Sequence, residues 1–219
     1  MLDVIYEDNH LLVVNKPAGI PTQPNDNQED SLEVRAKHYL KEKYQKPGNV
    51  FIGVVHRIDK PVSGIVVFAK TSKALSRLNE TIREKKSHKT YYAVLESIPS
   101  PEEGTLEHYL VHDEYRATVS SRAHSAAKLA RLHYHILKQV KYGCVVEIDL
   151  ETGRYHQIRA QFAAIGCPVL GDFKYGAQTS LAQHAIALHH GKLEIPHPIS
   201  KETMVFKAEA PSYLQLDNP

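Results

Sequence analysis

Tryptophan is absent from this sequence, cysteine is scarce, and the N-terminal segment has no long apolar run. Only two cysteines, Cys144 and Cys167, occur in 219 residues. Both are flanked by apolar residues and neither belongs to a CxxC motif, which favours buried free thiols over a disulfide or a redox site. Near the N-terminus, early acidic residues and the short apolar run LLVV fit neither a signal peptide nor a membrane span. We therefore expect a cytoplasmic protein.

A strong excess of charge of one sign is also missing. The chain has 27 Lys and Arg against 25 Asp and Glu, a formal charge of +2 and a pI near 8.4. This balance is compatible with a nucleic-acid partner but does not indicate one, so any such surface must come from local clustering. The densest basic stretch, REKKSHK at residues 83–89, is interpreted either as a solvated helix end or as a phosphate contact.

The length and composition are those of a compact globular protein. A chain of 219 residues can bury a core without disulfides or metals. Hydrophobic residues at 42% and charged residues at 24% are close to globular averages, and nothing in this composition suggests a disordered or fibrous chain. No internal repeat or low-complexity tract divides the sequence. We expect a single domain over residues 1–219.

The first third of the chain predicts short strands and two capped helices. The segments VIY and LLVVN flank turn-forming residues and predict a hairpin. Asp30 and Glu33 offer a capping box for a helix that continues to about Tyr44. Two β-rich runs, VFIGVVHRID and IVVFAK, surround the turn-prone KPVSG, which places Asp59 on a loop between strands. Thr71 is the predicted cap of the next helix, TSKALSRLNETIREKK.

From Thr90 onwards the pattern is mainly β. Strands are predicted in the segments TYYAVLE, GTLEHYL, AKLARLHYHILK, CVVEIDLE and TMVFKAEA. Between the last two, RYHQIRAQFAAI predicts a helix that Gly166 ends. Strands cluster instead of alternating strictly with helices. This arrangement predicts an α+β fold with a largely antiparallel mixed β-sheet core flanked by a few helices.

Asp59 is the first candidate for a reactive group. An aspartate beside Arg57 and Lys60 is commonly part of a structural ion pair, so this spacing alone does not indicate catalysis. A loop held by strands on both sides is also a frequent way to present a reactive side chain. Gly64 would permit close approach of a substrate or another strand. Spacing alone leaves a structural and a catalytic role open.

Several segments, taken together and in order, resemble the RluA-type family of RNA pseudouridine synthases. They are VIYEDNHLLVVNKPAGIPTQP, HRIDKPVSGIVVFAKT, KTYYAV, ETGRYHQIRAQFAAIGCPVLGDFKYG and LHHGKLEIPHP. This resemblance covers nearly the whole chain and implies the fold of the pseudouridine synthase catalytic domain. It also implies an isomerase that converts uridine to pseudouridine in ribosomal or transfer RNA.

The resemblance implies roles for individual residues. Asp59 matches the family's essential aspartate, and Tyr91 matches the tyrosine of a K-x-Y-x-A motif. Arg159 matches the arginine that pairs with the aspartate. These three are the expected catalytic residues, with Arg57 filling the space of the flipped base. The expected substrate-binding residues are Arg57, His56, Arg154, His156 and Gln157.

The implied reaction detaches uracil from ribose, rotates the base and rejoins it through carbon, which requires a carboxylate near the sugar. Asp59 would either attack the anomeric carbon or remove a ribose proton, and both roles need its ionised form. Pairing with Arg159 would favour that form. Tyr91 would stack on the base and serve in a late proton transfer. Because the reaction is an isomerisation without redox change, no cofactor or metal is expected.

Two positions depart from the family pattern. Val62 replaces a threonine of the catalytic loop, and Tyr155 replaces the threonine that precedes His156. The larger Tyr155 would narrow the RNA path or stack against the RNA, which affects substrate preference. The first matching motif begins close to residue 4, so no N-terminal S4 domain is expected. We expect a monomer that binds its RNA substrate without an obligate protein partner.

Two other classes of function are weighed against this one. A catalytically silent RNA-binding protein on the same scaffold would be expected to have lost one of the three catalytic residues, and all three are present. A metal-dependent hydrolase is suggested by 14 histidines, including His184, His189 and His190. No HExxH motif or comparable ligand spacing occurs, so these histidines are interpreted as surface or strand residues.

Overall fold

A computed structural model describes residues 2–24, 30–121, 123–141, 143–181 and 185–214. The chain divides into two compact units. The first contains Met1–His88 and His190–Glu209, and the second contains Lys89–His189 and Ala210–Pro219. The expectation of one domain over residues 1–219 stays a prediction.

Strands dominate both units. In chain order they are β1 (Val4–Glu7), β2 (Leu11–Lys16), β3 (Gly53–Val54), β4 (Ser63–Ala69), β5 (His88–Leu95), β6 (Glu103–His112), β7 (Ala117–Ser120), β8 (Lys128–Val140), β9 (Gly143–Leu150), β10 (Leu188–Pro196) and β11 (Thr203–Lys207). The α-helices are α1 (Leu32–Lys43), α2 (Ser72–Arg83) and α3 (Gln157–Ala164). No helix within the described ranges is both long and apolar enough to cross a membrane.

In the first unit the strands follow the order β1, β2, β4 and β10, with β3 paired to β4 and β11 paired to β10. The β1–β2, β2–β4 and β10–β11 pairs are antiparallel. The predicted hairpin at the start of the chain is therefore confirmed. Strand β4 is buried along its whole length. Its side chains and those of β2 and α2 build the core, which includes Leu11, Val13, Ile65, Val67, Ala74 and Leu78.

Both helices of this unit begin at a side-chain cap. Thr71 accepts a hydrogen bond from the Ala74 amide at 3.2 Å, which confirms the predicted cap of α2. Helix α1 is capped by Ser31, which accepts from the Val34 amide. The prediction that Asp30 is the cap was wrong. Asp30 instead pairs with the Arg35 guanidinium at 2.6 Å, one turn into the helix.

The second unit contains the strand order β5, β9, β8, β6 and β7, and every pair in it is antiparallel. Helix α3 lies in this unit and buries Ile158 and Phe162. Cys144 and Cys167 are buried free thiols, as predicted. Gly166 has a φ of 75°, which fits its predicted role at the end of α3. Together with the first unit, these elements confirm the α+β class and the largely antiparallel sheet.

Some predicted boundaries were wrong. The run VFIGVVHRID forms only the short strand β3, because the chain from Val55 to Val62 turns through a loop. Helix α2 ends at Arg83, before the basic residues that were assigned to it. Strands β7 and β10 were not predicted. His189 and His190 lie on β10 and are buried, whereas His184 lies outside the described residues.

Candidate active site

The loop that carries Asp59 is fixed through its backbone. Thr22 Oγ1 donates a hydrogen bond to the Ile58 carbonyl at 2.9 Å and accepts one from the Ile58 amide at 3.3 Å. The Val62 amide closes the turn on the Asp59 carbonyl at 3.1 Å. Bonds on both sides of Asp59 therefore limit where its carboxylate can move, as a reactive group requires.

Lys16, at the end of β2, is the second support of this loop. Its side chain is fully buried, and Nζ donates to the carbonyl oxygens of Pro17, Ile20 and Lys60 at 3.0, 2.8 and 3.2 Å. Burial lowers the pKa of Lys16 to about 7, and the negative charge of Asp59 opposes that shift. Three carbonyl acceptors use all three donors of the protonated amine. In its protonated form Lys16 thus places a positive charge in the field of Asp59.

His56 contacts the strand that follows the loop. Its Nε2 atom accepts a hydrogen bond from the Val67 amide at 3.2 Å, and its ring meets the ring of His190 edge-on at 5.5 Å. His190 Nδ1 lies 2.8 Å from the Ile65 carbonyl. Next to Ile65, Gly64 has a φ of 116°, and a Cβ there would overlap the His190 backbone. The predicted close approach at Gly64 is therefore made by a strand of the protein.

The basic residues near the loop differ in exposure. Arg57 and Lys60 are exposed, whereas Asp59 is half-buried. Arg57 is thus accessible to a ligand, as its expected role requires.

The basic stretch at residues 83–89 is a separate feature. In it, Lys86 pairs with Glu84 at 2.7 Å. Lys89 is half-buried, and burial lowers its pKa.

In the second unit, the two adjacent tyrosines of β5 have different surroundings. Tyr91 is 7% exposed and lies opposite Ile148 of β9. Tyr92 lies opposite Glu147, and its pKa is raised to about 12 by burial and by the nearby Glu147 carboxylate. Successive side chains of a strand point to opposite faces, so only one of the two can serve a given site.

Arg159, on α3, forms a buried ion pair with Asp172. Its Nε and Nη2 atoms donate to the two carboxylate oxygens at 2.6 and 2.9 Å. Its guanidinium carbon also lies 5.0 Å from the centre of the Tyr175 ring. A bidentate carboxylate and an aromatic face fix the guanidinium plane. Because Asp59 belongs to the first unit and Arg159 to the second, their expected pairing stays a prediction.

The segment before α3 is organised by buried polar side chains. Gln157 Oε1 accepts from Thr152 Oγ1 at 2.8 Å and from the Arg154 amide at 3.0 Å, while Nε2 donates to the Arg131 carbonyl. Arg154 is exposed and donates through Nε to the Leu129 carbonyl at 3.0 Å. Gln157 therefore shapes the turn that presents Arg154. Their expected contacts with RNA stay predictions.

His156 has a left-handed backbone, with φ of 51°, at the start of α3. Its Nδ1 atom lies 2.9 Å from the Tyr175 hydroxyl, and both side chains are buried. That hydroxyl also lies 2.8 Å from the Ala117 amide, which donates to it. These contacts join the start of α3 to strand β7. The surroundings of His156 are therefore those of a residue that supports the fold.

Three residues of these surroundings were not identified as site residues from the sequence: Lys16, Asp172 and Tyr175. Each falls in a segment that carries the family resemblance, Lys16 in NKPAG and the other two in GDFKYG. A lysine beside proline and an aspartate beside glycine are ordinary turn residues. Only their burial in the folded chain distinguishes these three residues from ordinary turn residues. Elsewhere, the described ranges contain no group of three or more His, Cys, Asp or Glu side chains placed to hold a metal ion.

Comparison with known proteins identifies the family. The family model described as RNA pseudouridylate synthase matches residues 10–164. The chain belongs to this family. Its members isomerise uridine in RNA, so the chain is an isomerase that acts on RNA. This match and the relatives described next together confirm the resemblance to the RluA-type synthases.

Relatives from several bacteria support this assignment. The chain is 35% identical to "Uncharacterized RNA pseudouridine synthase YhcT" of Bacillus subtilis (strain 168), over 96% of this chain and 69% of the relative. It is 36% identical to "Ribosomal large subunit pseudouridine synthase D" of Zymomonas mobilis, over 98% and 71% of the two chains. It is 33% identical to "Dual-specificity RNA pseudouridine synthase RluA" of Haemophilus influenzae, over 95% and 93%.

A solved structure confirms the fold at lower sequence identity. "Human RNA Pseudouridylate Synthase Domain Containing 4" superposes with a TM-score of 0.82 at 22% identity. The superposition covers 97% of this chain and 90% of the human chain. The pseudouridine synthase catalytic-domain fold expected from the sequence is therefore the fold of this chain.

Proposed function

We propose that this synthase converts specific uridines of ribosomal or transfer RNA to pseudouridine, with Asp59 as the catalytic carboxylate. The supporting observation is the fixed position of the Asp59 loop. Thr22 holds the backbone before Asp59, and Lys16 binds the carbonyl immediately after it. A carboxylate held in this way loses little freedom when the substrate binds.

Isomerisation conserves every atom of the uridine. The bond between the anomeric carbon and the base nitrogen breaks, the base rotates, and a bond forms from the same sugar carbon to the base carbon. The proton on that base carbon is then removed, and the ring nitrogen released from the sugar takes up a proton, so that the composition is unchanged. Asp59 acts in its ionised form, either by attacking the anomeric carbon or by removing a ribose proton. Lys16 lies near enough for the negative charge of Asp59 to oppose the lowering of the Lys16 pKa by burial.

Tyr91 and Arg159 complete the proposed catalytic set. Tyr91 would stack on the detached uracil and take part in the final proton transfer. Arg159 would pair with Asp59, and its ion pair with Asp172 restricts the guanidinium to one plane. Asp172 is therefore a positioning residue in this proposal.

The uridine would enter the site flipped out of the RNA. A sugar carbon inside a base-paired stem is shielded, so enzymes that act at such atoms extrude the nucleotide. Arg57 is exposed and is the residue proposed to fill the space that the base leaves. His56, Arg154, His156 and Gln157 are proposed to support binding of the flanking RNA, either directly or by shaping the backbone around it.

The names of two relatives bear on which class of RNA is the substrate. One is named for the large ribosomal subunit, and another is named as dual-specific. The first name supports a ribosomal RNA target, whereas the transfer RNA target is proposed from the family resemblance alone. The alternative, a catalytically silent RNA-binding protein, is disfavoured because Asp59, Tyr91 and Arg159 are all present.

Mapping pseudouridine across total RNA, with and without the gene, tests this proposal. We expect at least one site to disappear without the gene and to return with the wild-type protein but not with Asp59→Asn. An unchanged pseudouridine map would contradict the proposed activity. Recovery of the lost site by Asp59→Asn would contradict the role of Asp59 and leave the activity standing.

A further inference from the structure

The second unit contains a cavity of about 400 Å³ between the β6–β7 hairpin and the turn that precedes α3. Its volume lies within the range of about 300–1,000 Å³ that is typical of small-molecule sites. The lining side chains are aromatic, apolar or basic: Leu110, His112, Ala117, Ala126, Lys128, Gly153, Arg154 and Tyr155. None of these described lining residues is acidic, so the cavity is suited to a neutral or anionic ligand.

Stacked rings form one wall of the cavity. The ring centre of Tyr155 lies 3.9 Å from that of His156, with planes inclined by 17°, and 4.0 Å from that of His112, inclined by 40°. His156 meets Tyr175 edge-on at 5.6 Å. Tyr175 is buried, whereas His112 is exposed. The rings thus run from a buried anchor at Tyr175 to a solvent-exposed end at His112.

Two cations stand beside these rings. Arg154 lines the cavity, and its Nε bond to the Leu129 carbonyl at 3.0 Å fixes the orientation of the guanidinium. Lys128 is exposed at the start of β8. A planar aromatic surface with neighbouring cations is the combination by which proteins bind unpaired nucleotides: the base stacks, and the phosphate meets the positive charge.

Tyr155 is the central ring of this wall, in contact with His112 and His156. The family pattern has threonine here, and a threonine could not bridge His112 and His156 with a ring. We propose that this cavity binds an unpaired base of the RNA substrate, outside the target uridine. The base stacks on the outer face of His112, at the exposed end of the ring column that Tyr155 supports, while Lys128 and Arg154 hold its phosphate. The inference rests on the proposed function and adds a specificity site to it.

Fluorescence anisotropy with a fluorescein-labelled, single-stranded RNA of mixed sequence tests the inference, using the purified chain of 219 residues. We expect Tyr155→Thr to weaken binding by roughly tenfold or more, whereas Tyr155→Phe retains the ring and stays within about twofold of wild type. Tyr115→Thr is the matched control, because Tyr115 is 68% exposed in the same hairpin and does not line the cavity. The same RNA annealed to its complement should bind Tyr155→Thr and wild type equally, because its bases are already paired.

His112→Ala provides a second variant in case Tyr155→Thr does not fold, because His112 is exposed. It too should weaken binding of the single strand. Lys128→Gln should reduce the slope of log affinity against log salt by about 0.7. The inference would be overturned if Tyr155→Thr and His112→Ala both bound the single strand with wild-type affinity. It would also be overturned if the control Tyr115→Thr lost as much affinity as these two variants. Pseudouridine formation is assayed separately: its absence in wild type would contradict only the proposed function, and an unaltered affinity would contradict only the stacking site.

Discussion

Arg159 donates two hydrogen bonds to the carboxylate of Asp172, at 2.6 and 2.9 Å, and both side chains are buried. Asp172 compensates the positive charge of Arg159 inside the second unit. The Arg159 guanidinium also lies over the ring of Tyr175, whose pKa burial raises to about 12, so the phenol stays neutral at neutral pH. A guanidinium fixed on two sides is well suited to orient a catalytic carboxylate.

Asp172→Asn should reduce turnover without abolishing RNA binding. The amide retains one acceptor but loses the charge and the second acceptor, so the guanidinium is held less firmly. We expect kcat to fall by tenfold or more while KM changes little, and Asp172→Ala to destabilise the protein by about 3–5 kcal/mol. Single-turnover kinetics and urea unfolding measure these effects. Glu103→Gln, at an exposed carboxylate of β6, is the control. Wild-type kcat in Asp172→Asn would exclude the positioning role.

Tyr91→Phe should retain RNA affinity and slow the reaction. The phenyl ring still stacks on the base, but the hydroxyl for the proposed proton transfer is lost, and general acid–base catalysis commonly contributes about 10²–10⁴-fold. Tyr92→Phe is a matched control on the same strand, because the two side chains point to opposite faces. Pre-steady-state formation of pseudouridine is the measurement. Equal slowing in both variants would indicate a general effect on the strand.

Lys16→Met should destabilise the first unit and the Asp59 loop together. Methionine fills a similar volume but donates no hydrogen bond, so the carbonyls of Pro17, Ile20 and Lys60 lose their partner. Each buried polar group left unpaired costs about 1–3 kcal/mol. Three such groups would cost about 3–9 kcal/mol, offset in part because a buried amine no longer has to be desolvated, so we expect a net loss of roughly 2–4 kcal/mol in the free energy of unfolding. We also expect less pseudouridine per folded molecule. Lys73→Met, at an exposed position of α2, should be close to neutral.

Glu7 should contribute stability that disappears in acid. Burial raises the pKa of its carboxyl, but hydrogen bonds from Lys43, Lys70, Tyr44 and Tyr39 outweigh burial and lower the pKa to about 2. Because this value lies below the ordinary pKa, the folded state favours the carboxylate at neutral pH. That stabilisation, roughly 2–3 kcal/mol, is lost as the pH falls from about 4.5 towards about 2.

Urea unfolding of wild type and Glu7→Gln as a function of pH measures this contribution. The difference in the free energy of unfolding should shrink between neutral pH and about pH 3. Glu42→Gln, at an exposed position of α1, should show no such trend. A difference between wild type and Glu7→Gln that is independent of pH would show that the Glu7 charge does not stabilise the fold.

Local patterns predicted the elements that local contacts stabilise. The first hairpin, the Thr71 cap and the end of α3 at Gly166 depend on neighbouring residues, and each was identified. Asp30 and Ser31 are both good cap residues, and the sequence could not choose between them because the choice depends on the path of the preceding chain. Strand β10 has two histidines directly after its first residue, Leu188, and depends on pairing with distant strands.

The family motifs supplied the candidate catalytic residues, whereas their surroundings required the fold. Lys16 is flanked by asparagine and proline, which suggests a solvated strand end, yet its amine is fully enclosed by backbone carbonyls from two segments. Likewise, nothing in GDFKYG indicates that Asp172 pairs with an arginine on another element. Burial and long-range pairing are tertiary properties, so they cannot be deduced from the sequence around each residue alone.

The most direct test of the proposed function compares pseudouridine formation by wild type and Asp59→Asn on the RNA that loses a pseudouridine when the gene is removed. The asparagine is nearly isosteric but can neither attack the sugar nor accept its proton. We expect Asp59→Asn to fold, to bind that RNA with near wild-type affinity, and to form no pseudouridine in a single-turnover assay. Pseudouridine formed by Asp59→Asn at the wild-type rate would contradict the assignment of Asp59 as the catalytic carboxylate.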